Sequence, residues 1–404
     1  MRAFVIGLVL ASGSAWADWP QWRGPARDGH SDVAPRASWP QALKPGWKAS
    51  VGVGHASPVV VGDRAYVFTR EGNEEVASAF DLATGRRVWR QPYAAPYTVN
   101  PAAASHGPGP KSTPVMGGGR LYTFGISGTL SCFDAASGKL VWRRTFGDQH
   151  KQTSPTYGAA QSPLLDQDRL VIHVGGEGDG ALLSLDAATG ATRWALKGNG
   201  PAYASPVAAV LDGVRQYVLQ TQSSLMGVDA ARGEALWSVP FTTDYDQNAV
   251  TPVVSGGLVI YSGLDRGLHA IRPRKQAGRW TTEEAWRNEE LSLYMSSPVL
   301  EGKRLFGFSH RKKGEFFCLD ADTGRTLWRS EGRQGDNAAL VAVGRDLLLL
   351  KDDAELVVIH MDADRFSPVA TYTVASSATW AHPVPTAQGV LVKDQDSLAL
   401  LRLE

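Results

Sequence analysis

The sequence is poor in charge of one sign, in cysteine and in long hydrophobic runs, and each shortage excludes a class of protein. Lysine plus arginine total 41 and aspartate plus glutamate total 40, so the net charge of +1 leaves no basic footprint for nucleic acid. After the N-terminal segment, no stretch approaches the roughly 18 uninterrupted apolar residues of a membrane-spanning helix. The two cysteines form no Cys-x-x-Cys-His motif, which excludes the signature of a c-type haem.

Recognisable catalytic and metal-binding motifs are also missing. The nine histidines show no zinc spacing, and no Gly-x-Ser-x-Gly elbow occurs, so no catalytic residue and no metal ligand is assigned. The segment Asp244–Asn248 alternates oxygen ligands as a calcium loop does, but Ala249 and Ser255 stand where an EF-hand needs Gly and Glu. A looser cation site in this loop is left open.

The first 17 residues have the pattern of a secretory signal peptide. Arg2 precedes an apolar run over Ala3–Ala11, and Ala15-Trp16-Ala17 is a small-x-small cleavage site. The alternative is an N-terminal tail that rests on a membrane. No cysteine follows the cleavage site to carry a lipid, so we expect a mature chain over residues 18–404 that is periplasmic or secreted.

An internal repeat dominates the rest of the chain. A turn motif runs from a small residue through Asp and Gly to Trp, and it occurs at Ala79–Trp89, Cys132–Trp142, Ser184–Trp194, Gly227–Trp237 and Cys318–Trp328. Two degenerate copies follow the same order, at His269–Trp286 with a longer hairpin and at His360–Tyr372 with Tyr in place of Trp. We expect the first position to be small because each Trp packs against a neighbouring unit.

A second landmark, a small or polar residue before Pro, leads each copy. It is found at Ser57-Pro58, Thr113-Pro114, Ser162-Pro163, Ser205-Pro206, Thr251-Pro252, Ser297-Pro298 and His382-Pro383. Four short strands fit between successive landmarks, and four-stranded units of about 40–50 residues arranged around an axis make a β-propeller. The sequence therefore predicts an all-β fold with four-stranded antiparallel blades.

The ends of the chain predict how the ring closes. The last copy begins at His382-Pro383 and reaches the end of the sequence after its third strand. The segment Gly46–Ser50 contains a Trp and can supply the missing strand, which closes a single domain of eight blades over residues 18–404. Cys132 and Cys318 then lie in opposite blades, too far apart for a disulfide.

The repeat resembles the pyrroloquinoline-quinone-like (PQQ-like) β-propeller family, whose tryptophan-docking motif is similar to the turn motif described above. The resemblance covers Trp47–Glu404, and the leader Asp18–Pro25 with Arg27-Asp28-Gly29 is similar to that of secreted single-propeller bacterial members. One branch, the quinoprotein alcohol dehydrogenases, implies PQQ and calcium as cofactors. The other branch, the outer-membrane-assembly propellers related to BamB, implies a binding scaffold without chemistry.

The candidate site lies on the face of the propeller where the loops between blades surround the channel mouth. Nine residues of these loops are candidates for binding a cofactor or ligand: His55, Lys111, Gln161, Tyr203, Asn248, Tyr294, Asn337, Trp380 and His382. Aromatic and amide groups together suit a planar or sugar-like ligand. The alternative is that they bond strand ends and channel waters.

Two long loops on the same face, Gln91–Ser112 with His106 and Phe146–Gln161 with His150 and Tyr157, could carry function or merely cover the channel. The leading hypothesis is a monomeric, non-catalytic propeller that binds an envelope protein, a glycan or a small planar ligand. The alternative is a quinone-dependent oxidoreductase acting on alcohols or sugars.

Overall fold

The computed structural model describes residues 17–403, and it confirms an eight-bladed β-propeller. The predicted signal peptide lies outside the described residues except for Ala17. Strands β1 (His30–Ser31) and β2 (Lys44–Ser50) precede the first blade. Short 3-10 helices at Pro101–His106, Asp244–Asp246 and Arg311–Lys313 interrupt the loops of this range.

The first four blades follow one another along the chain. Blade 1 is β3 (Val59–Val61), β4 (Arg64–Glu71), β5 (Glu74–Asp81) and β6 (Arg87–Ala94). Blade 2 is β7 (Val115–Gly117), β8 (Arg120–Phe124), β9 (Leu130–Asp134) and β10 (Leu140–Arg144). Blade 3 is β11 (Leu164–Asp166), β12 (Arg169–Gly176), β13 (Asp179–Asp186) and β14 (Thr192–Lys197). Blade 4 is β15 (Val207–Leu211), β16 (Val214–Gln220), β17 (Ser224–Asp229) and β18 (Ala235–Pro240).

The other four blades complete the ring. Blade 5 is β19 (Val253–Ser255), β20 (Leu258–Ser262), β21 (Leu268–Gln276) and β22 (Arg279–Asn288). Blade 6 is β23 (Val299–Glu301), β24 (Arg304–Ser309), β25 (Glu315–Asp320) and β26 (Thr326–Arg329). Blade 7 is β27 (Ala338–Val343), β28 (Asp346–Lys351), β29 (Glu355–His360) and β30 (Pro368–Thr373). Blade 8 is β31 (Val384–Thr386), β32 (Gly389–Lys393) and β33 (Ser397–Arg402) with β2.

Blade 8 closes the ring as the sequence predicts. Strand β2 pairs antiparallel with β33 from Lys44 opposite Arg402 to Ser50 opposite Ser397. The N-terminal strand is therefore the outer strand of a blade whose other three strands come from the C-terminus. This pairing protects the edge of β33 that an open sheet would expose.

The tryptophan of the turn motif joins each blade to the next. In blade 1 the indole N–H of Trp89 donates to the carbonyl of Ala135 in blade 2 at 2.9 Å, and its ring covers Gly138. Five other indoles donate in the same way at 2.8–3.2 Å: Trp47 to Leu82, Trp142 to Ala187, Trp194 to Ala230, Trp286 to Ala321 and Trp328 to Ala363. The motif is therefore the joint between blades.

The small residue at the first position of the motif has a different neighbour from the one expected. In blade 2, Cys132 pairs across the strands with Trp142 of the same blade, and in blade 4 Gly227 pairs with Trp237. The residue that touches the Trp of the preceding blade is the glycine of the turn. Both positions must be small, because the indole lies between them.

Two joints depart from the pattern where the turn motif degenerates. Blade 5 replaces the glycine turn with the long β21–β22 hairpin, and Trp237 of blade 4 donates instead to the Oε1 atom of Gln216 at 2.7 Å. The hydroxyl of Tyr372 in blade 7 donates to the carbonyl of Pro40, just before β2, at 2.5 Å. In both joints the indole N–H or the tyrosine hydroxyl still has a hydrogen-bond acceptor.

The Ser/Thr–Pro landmark forms a belt of hydrogen bonds between the starts of successive blades. The backbone N–H at one landmark donates to the hydroxyl of the next landmark: His382 to Ser57, Ser57 to Thr113, Thr113 to Ser162, Ser162 to Ser205, and Thr251 to Ser297, at 2.9–3.1 Å. The hydroxyl before Pro thus serves the neighbouring blade.

The cysteines are both free and buried, as predicted. Burial raises the pKa of Cys132 to about 11 and that of Cys318 to about 12, so both remain thiols near neutral pH. Over the residues that the structure describes, no helix is long and apolar enough to cross a membrane.

Candidate functional site

The two faces of the propeller differ in which connections they carry. Because each blade has four antiparallel strands, the connections between blades share one face with the hairpins after the second strand. We call this the mouth face. The Gly turns of the repeat lie on the opposite face, which we call the turn face.

The N-terminal segment Asp18–Ser31 forms a loop inside the central channel, which the sequence does not predict. Trp19 pairs antiparallel with Val60 of β3, whereas β1 pairs parallel with β27. Since β3 and β27 both run from the mouth face to the turn face, the loop enters from the turn face, reverses beneath the mouth and leaves the way it entered. We call it the channel loop.

Two buried arginines fix the channel loop to two separate blades. The guanidinium of Arg27 donates to the carbonyls of Pro163 at 2.8 Å and Ser162 at 3.1 Å in blade 3. That of Arg23 donates to the carbonyl of Pro298 in blade 6. Burial lowers the pKa of Arg23 to about 10 and that of Arg27 to about 9, so both are charged near neutral pH.

The reversal of the channel loop turns the open channel into a blind cavity of about 500 Å³. Trp22 lies at its base, where the indole N–H donates to the hydroxyl of Thr251 at 3.1 Å and the ring lies 4.4 Å from that of His382. The hydroxyl residues Ser162 and Ser205 of the belt line the cavity beside Trp22. Cavities of this size are typical of small-molecule sites.

One wall of the cavity is an aromatic cluster of three rings from separate loops. The rings of His55 and Trp380 are parallel, with centroids 5.4 Å apart and an interplanar angle of 4°. His106 meets Trp380 edge-on, with centroids 4.7 Å apart and an angle of 77°. The three rings therefore pack against one another and together form one aromatic side of the cavity.

The opposite wall carries three tyrosines and an amide. The rings of Tyr157 and Tyr203 lie 6.0 Å apart, and the hydroxyl of Tyr203 accepts from the N–H of Tyr157 at 3.2 Å. The hydroxyl of Tyr294 donates to the Oε1 atom of Gln247. Tyr245, which is 77 % exposed, stands at the rim.

The charge of the cavity is positive and comes from Lys111. Its ammonium donates to the carbonyl of Tyr157 at 2.8 Å, and burial lowers its pKa to about 8, so it is mainly charged at neutral pH. Burial, together with the nearby His106, Lys111 and Lys393, lowers the pKa of His55 to about 3. Burial also lowers the pKa of His106, so both histidines are neutral at pH 7, where Lys111 is mainly charged.

The structure brings six of the nine sequence candidates around this cavity: His55, Lys111, Tyr203, Tyr294, Asn337 and Trp380. It does not bring the other three into the lining. Gln161 exchanges two hydrogen bonds with the backbone of His173, and the amide of Asn248 donates to the carbonyls of Thr221 and Phe241. His382 is buried beneath the cavity against Trp22.

Both long loops contribute to the cavity. Gln91–Ser112 supplies Ala102, Ala103 and His106, and Phe146–Gln161 supplies Tyr157 and Ala160, whereas the Nδ1 atom of His150 instead bonds Asp179 at 3.1 Å. The residue that sequence reasoning missed is Trp22. Trp22 belongs to the N-terminal leader, which lies outside the repeat. The only sequence feature that could have pointed to it is that the leader is rich in Arg and Trp although it forms no blade.

The donor set does not fit a resident calcium ion. Across residues 17–403, no group of three or more His, Cys, Asp and Glu side chains could hold a metal. In the oxygen-rich loop, Asp244 is exposed and pairs with Arg266 at 3.5 Å, while Tyr245 and Gln247 face the cavity. The loop therefore contributes to the cavity wall.

Comparisons with known proteins agree with the propeller and its repeat. "Outer membrane protein assembly factor BamB" of Yersinia pestis is 22 % identical over 370 residues, covering 86 % of this chain and 85 % of that protein. The crystal structure of BamB from Moraxella catarrhalis matches with a TM-score of 0.62 at 14 % identity, over 90 % of this chain and 98 % of that one. Quinohemoprotein alcohol dehydrogenase from Comamonas testosteroni matches with a TM-score of 0.69 at 12 % identity, over 96 % and 80 %.

The similarity to these solved structures shows the fold, and a family model shows which protein family the chain belongs to. The model described as "Outer membrane protein assembly factor BamB" matches residues 72–330, more than half of the chain. Its match spans the repeat from the hairpin before the third strand of blade 1 to the end of blade 6. The chain belongs to this BamB-like family of PQQ-like β-propellers.

Proposed function

We propose that this chain is a non-catalytic binding propeller of the bacterial envelope, periplasmic or secreted, that acts as a scaffold in envelope assembly. It engages its partner or ligand through the cavity of the mouth face. The observation that carries the proposal is the blind aromatic cavity that the channel loop closes at its base. Family membership supports the assembly role.

The distribution of sequence variation around the ring supports the choice of the mouth face. The turn face repeats one joint with the same Asp, Gly and Trp. The Trp side chains are occupied by contacts between blades, and the Asp side chains accept hydrogen bonds within their own turns. The mouth face carries loops of different lengths that place different aromatic and polar groups around one cavity. Variable loops on a rigid scaffold are where binding sites of repeat proteins usually lie.

A photo-crosslinking residue at two exposed positions tests this proposal in living cells. Tyr245 stands at the cavity rim, and Val210, which is 62 % exposed at the end of β15, stands near the turn face. We expect position 245 to capture an envelope protein or glycan, and we expect Trp380→Ala to remove that product. Position 210 serves as the matched control. Products from position 210 that survive Trp380→Ala would move the binding surface to the turn face.

A quinone-dependent oxidoreductase is the second candidate, favoured by the parallel pair of His55 and Trp380, which could cover one face of a planar ring. No Asp or Glu is among the described residues that line the cavity to hold calcium, so we derive no reaction step through a quinone. Purified protein mixed with PQQ and calcium, then assayed for dye reduction with alcohols and sugars, separates the candidates. Turnover that Trp380→Ala abolishes would contradict the scaffold proposal.

A further inference from the structure

The cavity contains a positive charge without a matching negative one. No Asp or Glu is among the described residues that line it, and the two nearby histidines are neutral. Lys111 forms no ion pair with any residue that the structure describes. Its ammonium donates one hydrogen bond, to the carbonyl of Tyr157. An ammonium has three N–H donors, so donors remain for a ligand.

A second buried lysine nearby differs from Lys111 in that carboxylates act on it. The ammonium of Lys393 is fully buried and donates to the carbonyls of Gly54 at 2.6 Å and Asp394 at 3.0 Å. Burial lowers the pKa of Lys393 to about 8, and the carboxylates of Asp394 and Asp396 act on it in the opposite direction. Burial alone shifts the pKa of Lys111, so no carboxylate plays that part for it.

The acids closest to the cavity are already engaged or lie at its rim. Glu177 accepts from the N–H and hydroxyl of Thr156 and from the amide of Gln222. Asp246 is next to the exposed Tyr245, and burial and Glu177 raise its pKa. Neither lines the cavity, so the charge of Lys111 is left for an occupant.

From these contacts we infer that the cavity binds a planar aromatic group bearing one carboxylate, with the ring against His55 and Trp380 and the carboxylate on Lys111. This inference rests on the proposed function, because it names the ligand class of the same cavity. One cation matches one carboxylate, and a buried charge is stabilised by an opposite charge at hydrogen-bond distance. The aromatic lining and the volume of about 500 Å³ suit an aromatic ring system.

Binding of 2-naphthoate and of its uncharged amide to the full chain tests the inference. Calorimetry gives affinities, and quenching of tryptophan fluorescence reports contact with Trp22 and Trp380. We expect the acid to bind about 10- to 100-fold more tightly than the amide, the range for a hydrogen bond to a charged group. Lys111→Met should remove this preference, and Lys111→Arg should retain most of it.

The amide also controls for the structural role of Lys111, whose bond to Tyr157 helps hold a long loop. If Lys111→Met weakens the acid and leaves the amide unchanged, the lysine recognises the carboxylate. Equal affinities for acid and amide, or no binding of either, would overturn the inference. In those cases the crosslinking experiment still decides the proposed function independently.

The same chemistry can come from a free aromatic acid or from the aromatic C-terminal residue of a peptide. The peptide Gly-Gly-Phe with a free carboxylate, compared with its C-terminal amide, distinguishes the two sources. Tighter binding of the free peptide than of 2-naphthoate would identify a chain terminus as the ligand. Weaker binding would identify a small molecule.

Discussion

At the scale of single residues, the glycine of the turn motif is the position with the least freedom. Gly138 has a φ of +73°, in the left-handed region, and a Cβ there would lie 2.6 Å from the ring of Trp89. Gly85, Gly190, Gly233 and Gly324 are in the same situation beneath the indoles of their preceding blades. The residue type is therefore required both by its backbone conformation and by the close approach of the Trp of the preceding blade.

Replacing Gly138 with alanine separates these two requirements. We expect a loss of about 1–2 kcal/mol from the left-handed conformation and about 1–3 kcal/mol more from displacing Trp89. Gly118→Ala in the same blade is the matched control, because φ there is +57° and a Cβ would meet nothing within 4 Å. Urea denaturation measures both free energies of unfolding. Equal losses in the two variants would show that the Trp contact contributes nothing.

Buried histidines make the stability of the protein depend on pH. Burial lowers the pKa of His382 to about 3 and that of His173 to about 4, both below the ordinary value of 6.5. Between these values the unfolded chain binds protons that the folded chain does not, so the free energy of unfolding falls as pH falls from 6.5 towards 4. Each such histidine contributes a slope of about 1.4 kcal/mol per pH unit.

The variant His382→Phe tests this at one site, because it keeps a ring against Trp22 and removes the titrating group. We expect the dependence of unfolding free energy on pH between 6 and 4.5 to become shallower by about 1.4 kcal/mol per pH unit. Urea denaturation across this range measures it. Above pH 7.5 the variant and the parent should have the same slope. An unchanged slope in acid would mean that water reaches His382 in the folded state.

At the scale of elements, the belt of Ser/Thr–Pro landmarks aligns the inner strands of neighbouring blades. The belt is interrupted between Ser297 and His382, since blade 7 has no landmark. It is also interrupted between Ser205 and Thr251, where the hydroxyl of Thr251 accepts from Trp22 of the channel loop. The landmark hydroxyls thus accept hydrogen bonds from neighbouring blades at five positions, and at Thr251 the hydroxyl instead holds the channel loop. Trp22, which forms the cavity base, is therefore attached to the belt through Thr251.

Thr113→Val tests the belt at one bond. The substitution preserves side-chain shape and leaves the buried N–H of Ser57 without its acceptor, so we expect a loss of about 1–3 kcal/mol in unfolding free energy. Ser112→Ala is the matched control, since the hydroxyl of Ser112 is buried and has no partner among the described residues. Chemical denaturation compares the two. A loss in Ser112→Ala as large as in Thr113→Val would contradict the belt's contribution.

At the scale of the whole molecule, the N-terminal region has two separate tasks. Strand β2 completes blade 8 and closes the ring, while the channel loop that precedes it fills the channel and forms the cavity base. The two segments are joined by residues 32–43, which cross the turn face, where Trp39 donates to Asp346 at 2.8 Å. Closure of the ring and filling of the channel are therefore carried out by two different segments of the chain.

Two truncations separate these tasks. A mature chain starting at residue 32 keeps β2, so we expect a folded propeller with a lower melting temperature and a cavity that opens into the channel. A chain starting at residue 51 lacks β2 and exposes the edge of β33, so we expect aggregation. Circular dichroism melts and size-exclusion chromatography measure both. Aggregation of the first truncation would show that the channel loop is needed for closure.

The sequence predicted most of the fold and part of the candidate site. The landmarks Ser57-Pro58 to His382-Pro383 and the turn motifs gave the blade number, the closing strand and the unpaired cysteines. Six of the nine candidate residues line one cavity, and Gln161 and Asn248 instead bond backbone at strand ends, the alternative that the sequence had left open. An amide side chain at the start of a blade can either bond the backbone at a strand end or face the cavity. A small rotation of the loop is enough to change which of the two it does.

The sequence by itself determined the repeat, the eight blades and their closure, because each blade is specified by nearby residues and the same joint recurs. Only the tertiary structure decided that the channel is filled by Trp19–Ser31 and that Trp22, His55, His106, Lys111 and Trp380 meet around one cavity. The leader has no repeat to be aligned with, and the cavity residues come from loops far apart in sequence. Their proximity is a consequence of the ring closing on itself.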